Sequence, residues 1–181
     1  MIAAACLSVA LSLAAANKVQ IGSEQQAKLD GTCRMMAAVP VRAIREDRNG
    51  HLAGCTALTS LRYGLPVDAL PAILLNEGGW LGAVVRNKDR STDHGPFQVN
   101  SQWVWSAKKI FKYATLEEAE KGITYNACVN AELAGIILAR CIRDKGDLYA
   151  GIGCYASPSP HRADAYARTI IGNAKRIVGS L

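Results

Sequence analysis

The chain has 181 residues, 50% of them hydrophobic and 20% charged, with a formal net charge of +6. That length and balance fit one compact domain with an addition, and they exclude a disordered chain. The Lys and Arg residues are scattered, with no run that would track phosphates, so nucleic acid is excluded as a partner and only a cationic bias toward anionic polymers remains.

In chain order, Ile2 to Ala16 form an almost unbroken Ala- and Leu-rich run. The run is shorter than the roughly 20 residues of a stable membrane span. It ends in a small-residue site, Ala14-x-Ala16, which marks 1–16 as a signal peptide and the protein as periplasmic or secreted. No Lys or Arg stands beside Met1, so a start further upstream stays open. The competing reading is a buried N-terminal helix containing Cys6. Export puts Cys33, Cys55, Cys128, Cys141 and Cys154 in an oxidising setting where disulfides form, and five is odd. No Cys-x-x-Cys pair occurs, and His51, His94 and His161 lack zinc-ligand spacing; no metal or other cofactor is expected.

Residues 17–51 show no clear period and read as an N-terminal extension or linker, with one short helix around Arg34 to Ile44. The domain proper is 52–181. A helix through Cys55, Leu58 and Leu61 stops at Tyr63-Gly64-Leu65-Pro66. Asp68 caps the next, whose apolar face is Leu70, Ile73 and Leu74; Glu77 projects beside that face and Gly78-Gly79 end the helix. Residues 86–100 read as turns and short strands, with Phe97-Gln98-Val99-Asn100 alternating. Thr115-Leu116-Glu117-Glu118 is a capping box, Asn126 caps a long helix closing at Lys145-Gly146, Asp147 starts another, and Ser159-Pro160 opens the last. The fold class is mainly α, with a small irregular β-hairpin region beside the helix that carries Glu77.

Glu77 is the candidate acid. A carboxylate at a helix C-terminus opposes the dipole, so it does not serve the helix, although a solvated helix-end glutamate is the bland alternative. A partly desolvated carboxyl group followed by amide side chains suits the cleavage of a sugar chain. Gln98 and Asn100 are candidate sugar binders, with capping of backbone groups as the alternative. No second carboxylate is convincing: Asp93 reads as an electrostatic assistant or a turn former.

Four blocks in order then resemble the lytic transglycosylases of the soluble-lytic-transglycosylase, lysozyme-like family. They are Tyr63-Gly64-Leu65-Pro66 leading to Glu77; Asp93-His94-Gly95-Pro96-Phe97-Gln98-Val99-Asn100-Ser101; Cys128-Val129-Asn130 with Ala134-Gly135; and Gly153-Cys154-Tyr155-Ala156 followed by Tyr166-Ala167. The small members that accompany conjugation, type IV secretion and pilus machines are the most similar. The resemblance implies a lysozyme-like fold over 52–181 and peptidoglycan glycan strands as substrate, with a secretion, conjugation or pilus machine as the setting. Glu77 would cut the β-1,4 bond between N-acetylmuramic acid and N-acetylglucosamine, leaving a 1,6-anhydro end. Tyr155 would orient Glu77 through its hydroxyl, and Asn130 would line the groove or serve the structure. Trp80, Trp103 and Trp105 are sugar-stacking or core residues. The rival activities are a hydrolytic muramidase and a weakly active wall-binding component. The last draws on two departures: Gly78 where many relatives carry Ser, and Ala156 where relatives often carry Asn or His. Secretion-associated relatives imply a Cys55–Cys128 bridge; by elimination Cys141 and Cys154 form a second pair, leaving Cys33 over.

Overall fold

A computed structural model describes all residues, 1–181. The protein is mainly helical, with one small sheet. The long central helix α8 (Ala127–Lys145) begins where Asn126 accepts hydrogen bonds from the backbone N–H groups of Cys128 and Val129. It ends at Gly146. Around it lie α4 (His51–Arg62), α7 (Leu116–Tyr125) and α9 (Leu148–Ala156), while α10 (Pro160–Val178) packs on α9 and on α5 (Ala69–Glu77). Leu70, Ile73, Leu74, Leu133, Leu138 and Ile170 fill the centre, fully buried. Burying side chains of this size is worth roughly 1.5–3 kcal/mol each.

The expected β region is a three-stranded antiparallel sheet, ordered β1 (Val84–Arg86), β2 (Thr92–His94), β3 (Val99–Asn100). Its register sets Val85 opposite Asp93 and Asp93 opposite Asn100. Gln98 stands outside the expected strand, in the turn before β3, with φ +46°. After β3 a single 3-10 turn (Ser101–Trp103) leads into α6 (Val104–Ile110).

The stretch read as a linker is more ordered than expected. It holds α2 (Ser23–Ala37), a break around Pro40, and the single turn α3 (Arg42–Glu46). Asp47 caps α4 from outside: its carboxylate oxygens accept from Leu52 N at 3.1 Å and Ala53 N at 2.9 Å. Asp68, in contrast, makes no side-chain cap to α5. Ile2–Ala16 forms α1 and packs on α2 and α4, with Cys6, Ala10 and Ala14 wholly inaccessible.

All six cysteines are paired: Cys6–Cys33, Cys55–Cys128 and Cys141–Cys154, with Cα separations of 5.6, 4.9 and 5.7 Å. Cys33 is therefore not left over; its partner is the cysteine inside the apolar run. No single helix is long and apolar enough to cross a membrane.

Candidate active site

A groove of about 720 Å³ runs between the sheet on one side and the α9–α10 junction on the other. Glu77, the last residue of α5, reaches into it half-buried because Gly78 turns the chain away. Gly78 sits at φ +61°, a left-handed conformation that glycine takes without penalty, and a serine there would be strained. Gly78 is the C-cap of α5. Gly79 is needed for space: a Cβ would stand 2.2 Å from the Gly95 carbonyl oxygen and 2.8 Å from the Gln98 amide nitrogen. The acid's helix and the Gln98 turn therefore meet backbone to backbone.

Glu77 Oε1 accepts a short hydrogen bond from the Tyr166 hydroxyl and a long one, 3.4 Å, from Asn76 Nδ2. Burial raises the carboxyl pKa above its ordinary value. The bonds from Tyr166 and Asn76 pull it back, and the nearby Asp93 carboxylate pushes it further up. Burial also holds the Tyr166 phenol far above its usual range, so it stays a donor.

Tyr155 does not orient Glu77. Its hydroxyl donates to the Phe97 carbonyl at 3.1 Å, and its ring stacks on that of Tyr166, with centroids 6.4 Å apart. The residue touching Glu77 is Tyr166, which the sequence marks only as following the fourth block, with no role attached. A buried tyrosine needs a partner for its tip, and that was the available signal.

Of the two readings of Asn130, the structure favours the structural one: it does not line the groove. It is wholly buried on α8, where Nδ2 donates to the carbonyls of His94 and Ile123, both at 2.9 Å, and Oδ1 accepts from Phe97 N at 2.9 Å. Both amide hydrogens and the amide oxygen are engaged, fastening the 94–97 turn to α7 and α8. Gln98 does line the groove; its Nε2 donates to the Gly95 carbonyl at 2.8 Å, and its positive φ is the backbone strain that clusters at functional sites. Asn100 also lines the groove, but its amide is committed. Its oxygen caps Gln102 N at 3.0 Å, while its nitrogen donates to Ser91 Oγ at 2.9 Å and Asp93 Oδ1 at 2.8 Å.

Asp93 is no turn former. It lies mid-strand on β2, lines the groove, and is gripped on both oxygens by amides, Asn87 on Oδ2 at 2.9 Å and Asn100 on Oδ1. Its register opposite Asn100 is what the sequence concealed. Of the three tryptophans only Trp103 lines the groove. Trp80 is covered by the Arg42 guanidinium at 4.5 Å, and Trp105 lies on the surface, 58% exposed. His94 is buried between the hydroxyls of Thr92 and Thr124, at 2.8 and 2.9 Å, and burial lowers its pKa. Chemically, the groove gathers a carboxyl group whose pKa is raised, a second carboxylate, amides and an aromatic face, a set that can deliver a proton to a bound polar chain.

The chain is similar to Invasion protein IagB. The Salmonella typhimurium protein of that name is 28% identical over 132 residues, 70% of this chain and 79% of the relative. The Salmonella typhi protein is also 28% identical, over 130 residues, 69% of this chain and 78% of its own. No protein-family model matches the chain.

Proposed function

We propose that the protein is a peptidoglycan lytic transglycosylase with a lysozyme-like fold, and that Glu77 is both its acid and its base. The observation that carries this reading is the half-buried Glu77 in the groove, its pKa raised by burial and its oxygen held by Tyr166. The protonated carboxyl gives its proton to the oxygen of the β-1,4 bond as the C1–O bond breaks. The resulting carboxylate then takes the proton of the muramic 6-hydroxyl, whose oxygen bonds to C1. No water is consumed, and Glu77 ends as it began. Gln98 positions the glycan, and Trp103 offers a ring face for a sugar.

Asp93 favours a second reading. A carboxylate fixed by two amides in the same groove is what a retaining hydrolase uses beside its acid, and water would then resolve the intermediate to a reducing end. Digestion of purified sacculi separates the two. Anhydro ends are one water lighter than hydrolysed ones by mass spectrometry, and we expect them to be the main product. A purely reducing-end product would replace the first reading with the second.

The three disulfides fit a protein that works outside the cytoplasm. The setting we propose is local wall opening for a transenvelope machine.

A further inference from the structure

Three carboxylates and two cations line the groove: Glu77, Asp89, Asp93, Lys88 and Arg162. Neutral donors already answer each carboxylate. Tyr166 holds Glu77, Asn87 and Asn100 hold Asp93, and Ser91 holds Asp89 through its hydroxyl at 2.7 Å and its N–H at 3.0 Å. The cations are left over. Lys88 and Arg162 form no ion pair, as is also true of exposed helix cations such as Arg45, Lys145 and Lys175; what sets these two apart is that they line the groove.

The two come from separate segments: Lys88 from the turn between β1 and β2, Arg162 from the first turn of α10. A cation in the first turn opposes the helix dipole, so Arg162 does not serve its own helix. Neutral sugar hydroxyls and acetamido groups give two unpaired cations nothing ionic to bind. A wall glycan has one other part within reach of a groove wall, the short peptides on its muramic residues, and these carry carboxylates.

We infer that Lys88 and Arg162 bind the carboxylates of the peptide stems, so that the groove takes stem-bearing peptidoglycan in preference to its charge-neutralised form. This rests on the wall-glycan reading above. Charge-assisted hydrogen bonds to carboxylates supply the attraction, and exposure keeps each contact modest.

The test compares soluble, uncross-linked glycan strands carrying native stems with the same strands after the stem carboxylates are converted to carboxamides. Wild type should show a KM roughly three- to tenfold lower on the native strands at low salt, a gap that closes in about 0.5 M salt. In K88Q/R162Q the two substrates should give the same KM, with the loss confined to the native one. Indifference of the wild type to amidation, or an equal loss by the variant on both substrates, would overturn the inference. Titration of both strands onto Glu77→Gln reads the same preference as binding. Binding without cleavage by the wild type would fail the transglycosylase reading alone, whereas equal binding of both strands would fail this one.

Discussion

Two opposed pulls act on the proton of Glu77, and each can be removed separately. Burial raises the pKa and the Tyr166 hydroxyl lowers it. Tyr166→Phe should therefore move the alkaline limb of the pH–rate profile upward while lowering the rate by about tenfold to a hundredfold, because the acid loses its orientation. An unmoved limb would detach Tyr166 from the acid. Glu77→Gln should abolish cleavage, a loss on the order of a thousandfold or more. The same substitution has a stability signature. A carboxyl whose folded pKa is raised adds stability fully present below its unfolded pKa and lost as pH rises through the folded one. Thermal melts of wild type and Glu77→Gln should hence differ in a pH-dependent way, the variant gaining relative to wild type as pH rises above the ordinary carboxylate range. The places of Glu77 and Gln98 in the groove were legible because a helix-end acid and a Gly-Pro turn leave local marks. Asn130 and Tyr155 were not. An amide or phenol has the same letter whether it faces sugar or backbone, and only the partner across the fold decides.

At the scale of elements, the helices with strong caps were readable, Thr115 with Glu118 and Asn126 above all. The apolar spacing of α2, with Leu29, Thr32, Cys33 and Met36 buried, was present in the sequence but masked by its polar first half. The seven residues of α6 are too short for a period to show. Asn130 is the pin between elements, joining the sheet-side turn to α8. Asn130→Ala should cost about 2–4 kcal/mol, since it leaves two carbonyls and an N–H unanswered in the core. By calorimetry that is a drop in Tm of roughly 5–15 °C. α1 poses an either-or. Its contact with α4 is close enough that a Cβ on Gly54 would stand 2.7 Å from Val9 Cγ1 and 3.0 Å from the Cys6 carbonyl oxygen. Removal of residues 1–16 as a signal peptide and a Cys6–Cys33 bridge exclude each other. Non-reducing peptide mapping should recover the two cysteines joined; a protein starting at Asn17 would show Cys33 as a titratable thiol.

Across the whole molecule, the three bridges close loops of different reach. The Cys55–Cys128 bridge spans 73 residues and is worth about 4 kcal/mol on the chain-entropy model; Cys141–Cys154 spans 13 and is worth about 3. The larger loop encircles Glu77, Asp93, Gln98 and Asn100, while Tyr155 and Tyr166 lie beyond it. It also encircles the most accessible cutting point near the groove, the turn joining β1 to β2, where Arg86, Lys88 and Arg90 are exposed. A protease that severs this turn frees nothing. The two pieces stay tied through Cys55 and Cys128, and the hydrogen bonds of β2 and the buried Asn130 keep the severed ends in register. Limited trypsin treatment should thus give a species that migrates at full size until a thiol reductant parts it into halves near residue 88. An enzyme working among hydrolases outside the cell would owe its endurance there less to a hard surface than to wounds that cannot open.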